Sequence, residues 1–275
     1  MLEFSCHTWG FSDQLLPEAL GTIARLGFRH VDIGSGTHIN VVRASTPSTR
    51  VQAARELLED LKAFNLSVAD VSVMFPRISV NDAPKRDTDL KLFKALVPFL
   101  KGISARGVTV SAGLVHPPDD EEAYQRTINA LGEMVTVCQK FEMAIRLEPH
   151  LDSMAQTPAQ ALRILNDVAG LGITLDWAQM VCQKIKLSDI ITLMPHVKHV
   201  QIRQAAPQKL QTPHDKGKID LHEVITTLKE ANYAGMICIE SLQTVNWHGA
   251  MPVNPIREAS VLRDSLRDIR NALYT

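Results

Sequence analysis

The sequence predicts a closed (β/α)8 barrel, the TIM barrel architecture, in one domain over residues 1–275. Three observations predict it. Eight short β-branched runs alternate with eight stretches of helical period, which reads as successive βα units with a parallel sheet and right-handed crossovers. Eight units in this chain average about 34 residues each, the spacing of a barrel. The first run is followed by Trp9, Gly10, Phe11 and Ser12 rather than G-x-G-x-x-G, which argues against an open doubly wound sheet.

The strand runs fall near 2–6, 30–34, 67–73, 108–115, 144–148, 173–176, 197–203 and 236–240. The helical stretches are 16–26, 49–64, 89–105, 121–140, 157–169, 187–194, 221–231 and 256–273. In the second of these, Leu57, Leu58, Leu61 and Phe64 recur at three- and four-residue spacing and form one buried stripe. Thr157 before Pro158, and Ser188 with Asp189, mark helix starts. Gly27, Gly107, Gly172 and Gly235 each precede a strand run, where a helix is expected to end on a left-handed residue.

Composition narrows the function. A net charge of -1 lacks the basic excess of a nucleic-acid or anionic-membrane surface. No run approaches the ~18 apolar residues of a membrane span. The first residues have neither a basic segment nor a long apolar stretch, so they do not read as a secretion signal. Cys6, Cys138, Cys182 and Cys238 are scattered, without a Cys-x-x-Cys pair. They are expected to be reduced and internal, with a cytoplasmic location as the default.

The functional signal lies in the second half. Four apolar runs stop on Glu148, Asp176, Gln201 and Glu240. A carboxylate at the end of an apolar strand is costly to bury unless something positive meets it. Active groups of a barrel gather at the carboxyl ends of its strands, and these four would come from adjacent strands 5 to 8. Four oxygen ligands in one bowl suit Mg2+ or Mn2+. The competing reading pairs the carboxylates with buried arginines. Side chains two apart on a strand share a face, so Arg146 points with Glu148 and Arg203 with Gln201. Arg146, lying deeper, reads as a structural ion pair. Arg203 reads equally as an ion pair or as a clamp on a substrate oxyanion.

The chain resembles the xylose-isomerase-like TIM-barrel superfamily of sugar (phosphate) isomerases and epimerases, which is related to the endonuclease IV fold. The pieces that carry the resemblance are Ala24 to Phe28 before strand 2, Leu147 to His150 at strand 5, and Leu175 with Asp176 at strand 6. Val197 to Gln201 follow at strand 7, then Gly217 to Asp220, and Tyr233 to Gly235 leading to Ile239 and Glu240. The resemblance implies one divalent metal (Mn, Mg, Zn or Co) held by Glu148, Asp176, Gln201 and Glu240. It also implies that Glu148 and Glu240 act as acid and base on an α-hydroxy carbonyl compound, through an enediolate.

The chain departs from that pattern. Gln179 replaces the histidine of the strand 6 motif, and Gln201 replaces the ligand histidine of strand 7. Gln204 stands where the strand 7 motif ends in aspartate. The multi-zinc site of endonuclease IV is therefore not expected. His7, Trp9, His116, His150, Gln179 and Arg203 are the candidate substrate contacts. His7 and Trp9 read equally as core. Trp247 and His248, after strand 8, read as a lid or a contact between copies. The expected function is a metal-dependent isomerase or epimerase of a sugar-like small molecule. Alternatives are a dehydratase on the same scaffold, or a sugar-binding barrel with a degenerate metal site. The resemblance also implies a possible homo-oligomer.

Overall fold

The computed structural model describes residues 2–274. Eight parallel strands close into one barrel in sequence order. They are β1 (Glu3–His7), β2 (His30–Gly34), β3 (Ser67–Val73), β4 (Gly107–Ser111), β5 (Ala144–Glu148), β6 (Gly172–Asp176), β7 (Val197–Ile202) and β8 (Met236–Ile239). Around them run α1 (Leu16–Arg25), α2 (Val41–Ser45), α3 (Pro47–Ala63), α4 (Ala83–Gly102), α5 (Glu121–Lys140) and α6 (Pro158–Asp167). The ring continues with α7 (Trp177–Cys182), α8 (Leu187–Ile191), α9 (Leu221–Glu230) and α10 (Pro255–Leu273). The predicted barrel is therefore the observed one.

Local chemistry sets the helix ends. Thr157 caps α6 in a capping box with Gln160, and Pro158 fits the first turn because it has no N–H to satisfy. Asp82 caps α4 through the Lys85 amide, so this helix starts at Ala83 rather than at 89. Its charged first turn hides that start in the sequence. The stretch 187–194 is broken: α8 ends at Ile191, a 3-10 turn covers Met194–His196, and Lys186, not Ser188, precedes α8 without a side-chain cap.

Of the four glycines expected to be left-handed, only Gly27 is, at φ +90°. Asn65, Ser104, Glu142 and Asn232 take the left-handed turn before β3, β4, β5 and β8 instead. Gly107 serves another end, since a Cβ there would lie 2.0 Å from the Arg146 guanidinium. It makes room for a charged side chain inside the barrel.

The core between sheet and helices is apolar, with Ile33, Val71, Leu147 and Ile173 fully buried on the outer face of the strands. The barrel interior is polar. Thr109 on β4 meets Thr174 on β6 at 2.6 Å. Asp70 on β3 pairs with Arg146 on β5. His199 on β7 pairs with Asp32 on β2 at 2.6 Å. None of these strand pairs is adjacent, so each bond crosses the lumen. Arg146 is thus the structural ion pair expected of it, with Asp70 as partner rather than the nearby Glu148. All four cysteines are free and buried. Among the described residues, no helix is long and apolar enough to cross a membrane.

Candidate active site

Seven of the candidate residues come together at the carboxyl end of the barrel. Glu148 ends β5, Asp176 ends β6, Arg203 follows β7 and Glu240 follows β8. Gln179 lies on the first turn of α7, and Trp9 on a 3-10 turn after β1. A cavity of about 370 Å³ opens there. Trp9, Glu148, His150, Gln179, Arg203 and Glu240 all line it.

Arg203 organises the floor. Its Nη1 donates to Glu240 Oε2 at 2.9 Å, its Nη2 meets Asp176 Oδ2 at 2.8 Å, and its Nε donates to the Leu210 carbonyl at 3.2 Å. All three ionic partners are almost fully buried. Strand register explains the contact. Gln201 pairs laterally with Asp176 on one side and with Cys238 on the other. The β7 residue level with Glu240 is therefore two further on, at Arg203. The Glu240 amide donates to the Ile202 carbonyl at 3.0 Å and extends the ladder that far.

Burial and charge set the two glutamates apart. Burial, reinforced by Glu240 and Asp176, pushes the Glu148 carboxyl well above its ordinary range. Burial also raises Glu240, to about 7, with Arg203 opposing the rise. Burial thus favours the protonated form of Glu148, and Glu240 is poised between acid and base near neutral pH.

Around them, supporting bonds are plentiful. His150 Nδ1 lies 2.6 Å from the Leu151 carbonyl and so must carry the proton; Nε2 then accepts from Ser111 Oγ at 2.7 Å. Burial lowers the basicity of this ring, which keeps it neutral. Gln179 Oε1 accepts from the Leu151 amide at 3.1 Å and braces the same loop. Trp9 stacks on His7 at 4.4 Å and donates from Nε1 to the Ser35 carbonyl at 3.3 Å. A Cβ on Gly34 would sit 1.9 Å from Trp9 Nε1, so β2 needs glycine under the indole. Gly34→Ala is expected to push the indole out and to cost roughly 1–3 kcal/mol. Urea unfolding with tryptophan emission reads both; unchanged emission would place the indole elsewhere.

Three expectations fall differently. Gln201 is fully buried, lies outside the cavity lining, and neither of its amide atoms has a hydrogen-bonding partner among the described residues. Register sets it level with Asp176 on β6 but two residues below Glu240 on β8. His7 is fully buried beneath Trp9, bonded to Ser72 Oγ at 3.2 Å, with its basicity lowered by burial to about 4. It supports the wall and does not line the mouth. His116 faces a separate small cavity near Pro117 and Tyr124, 3.3 Å from Asp120 and 3.2 Å from Ser79.

The four expected metal ligands do not fit a divalent ion in this arrangement. Asp176 and Glu240 already meet a guanidinium, and Gln201, level with Asp176, lies two residues below Glu240. Among the described residues, the group whose ligand atoms converge within 4.8 Å is Asp32, His199 and Cys238, all buried inside the barrel. Asp32 and Asp70 are not among the expected site residues, although each is a carboxylate in the middle of an apolar run. Trp247, in the loop after β8, lines the cavity, and Asp152 holds it and His248 at 3.3 and 2.7 Å.

A model of the xylose isomerase-like TIM barrel family matches residues 20–267. The chain belongs to this family. Solved structures superpose along the whole barrel. D-psicose 3-epimerase, solved in the presence of D-fructose, superposes with a TM-score of 0.79 at 14% identity, covering 98% of this chain and 99% of that one. The 3-keto-D-glucoside 4-epimerase YcjR from E. coli gives 0.74 at 19% identity, covering 98% and 100%. A probable 3-DHS dehydratase, AsbF from Bacillus anthracis, gives 0.75 at 16% identity, covering 97% and 99%. At these identities the likeness is one of fold. No curated protein sequence matches the chain.

Proposed function

We propose that this family member is an isomerase or epimerase of a small polyhydroxy carbonyl compound, with Glu148 and Glu240 as its proton-transfer pair. One observation carries the reading: two buried glutamates open on the same cavity, and only Glu240 is ion-paired to Arg203. The sugar epimerases among the structural neighbours support the substrate class.

The chemistry follows from the difference between the two groups. The Glu240 carboxylate takes the proton from the carbon beside the carbonyl, and the C–H electron pair moves into an enediolate. The Glu148 acid then returns its own proton to carbon. Delivered to the same carbon from the other face, it gives an epimer. Afterwards Glu240 holds a proton and Glu148 is ionised, and exchange with solvent through the open cavity resets them. A carboxyl group tuned toward neutrality suits such transfer. The AsbF likeness favours one second reading, a dehydratase in which the same base starts an elimination.

The test is a screen of ketoses and ketose phosphates in deuterated water, with carbon-bound deuterium read by NMR. Deuterium uptake supports the reading; ligand-induced stabilisation with no exchange from any carbohydrate would leave a binding barrel. The pH profile has a required sign. A base must be ionised, so kcat/KM is expected to rise with pH through about 7 as Glu240 loses its proton. It should fall again at higher pH as the Glu148 acid ionises. A profile flat through neutrality would remove Glu240 as the base.

A further inference from the structure

We infer that Arg203 is the permanent cation of this site, and that its guanidinium steadies the oxyanion of the substrate where a divalent ion would otherwise be needed. The inference rests on the acid–base reading for the oxyanion role, and on geometry alone for the exclusion of the ion.

Charge comes first. Three carboxyl groups from β5, β6 and β8 are buried around one point, and a buried ion left unpaired is strongly destabilising. Arg203 meets two of them directly, at 2.8 and 2.9 Å, and is itself only 3% exposed. A divalent ion placed to share Asp176 and Glu240 would stand against that guanidinium without water to screen the repulsion. Gln201, another expected ligand, offers only a neutral amide and lies outside the cavity lining.

Geometry comes second. Guanidinium has five N–H donors in a fixed plane. Among the described residues, the Leu210 carbonyl and Glu240 accept from two, and Asp176 stands at ion-pair distance from Nη2. Both terminal nitrogens keep N–H groups beyond these hydrogen bonds, and Arg203 lines the cavity. A guanidinium edge with two parallel donors matches two oxygens on neighbouring atoms. An α-hydroxy carbonyl presents such a pair, C=O beside C–OH. When the C–H bond breaks toward Glu240, negative charge grows on the carbonyl oxygen next to this fork. A donor fixed in advance at that point needs no reorganisation as the charge develops.

The probe is Mn2+ alone. Its binding is read as the loss of the free-ion electron paramagnetic resonance signal and by calorimetry. The wild-type chain is expected to bind no Mn2+ that Asp176→Asn or Glu240→Gln removes. Arg203→Met, which keeps bulk and loses charge, is expected to gain one Mn2+ per chain, and adding Glu240→Gln should abolish the gain. Should Arg203→Met fail to fold, Arg203→Lys decides. It keeps a charge but not the fork, so it should stay free of Mn2+ and lower exchange about 10²–10³-fold. Wild-type exchange should survive EDTA. Stoichiometric wild-type Mn2+ that Asp176→Asn abolishes, or exchange lost in EDTA and restored by Mn2+, overturns the inference. The metal readout uses no turnover, so a protein inactive on every ketose sinks the enzyme reading while the Mn2+ result still stands or falls separately.

Discussion

Glu240→Gln is expected to lower solvent-proton exchange into a bound ketose by about 10²–10⁴-fold, the usual contribution of a positioned acid–base group. The amide is isosteric, and its carbonyl oxygen can still accept from Arg203 where the carboxylate now does, at 2.9 Å. The cavity and ligand affinity should therefore change little while kcat collapses. Exchange retained at the wild-type rate would rule out Glu240 as the base. A stability readout accompanies the kinetic one. The folded-state pKa of Glu240 is raised from 4.5 to about 7, so folding favours its protonated form. That contribution is present below 4.5 and is lost as pH rises through about 7. The variant lacks the group, so its stability relative to wild type should improve across that window. Urea unfolding at several pH values measures it.

Arg146→Met is expected to cost roughly 3–5 kcal/mol of folding stability, because it strips a buried carboxylate of its cation. Arg146 and Asp70 lie in the barrel lumen, 7% and 0% exposed. Without the guanidinium, Asp70 keeps only the Thr109 hydroxyl among its side-chain partners described here. Burial already raises the Asp70 pKa, with Arg146 opposing, so removal of Arg146 should raise it further. The deficit should then shrink at low pH, where the carboxyl is neutral. Adding Asp70→Leu should recover much of the loss, since an apolar pair can replace a buried ionic one. A single-variant loss under about 1 kcal/mol in urea would show that solvent reaches this layer.

Much of the barrel was legible because its signals are local. A β-branched run that turns polar, followed by an amphipathic stretch, needs only neighbours in sequence, and α5 matches its expected span of 121–140. Elements too short to show a period escaped. Val41–Ser45 and Trp177–Cys182 have five and six residues, and the second starts on Asp176 itself, whose carboxylate caps it through the Ala178 amide at 2.8 Å. A residue read purely as a ligand therefore also has a structural task.

The site divides along the same line. Glu148, Asp176 and Glu240 were placed at strand ends by the sequence, because the cost of burying a carboxylate shows wherever one closes an apolar run. Which cation meets them depends on strand stagger. Arg203 and Glu240 are 37 residues apart, Asp70 and Arg146 are 76, and Asp32 and His199 are 167. A shift of two residues in the β7–β8 register would have put Gln201 beside Glu240 and taken Arg203 out of reach. The amino-acid order determined that acidic groups ring the mouth of a parallel barrel. Only closure of that barrel decided that a guanidinium, and not the amide two residues before it, stands among them, since lateral pairing is a property of the assembled sheet.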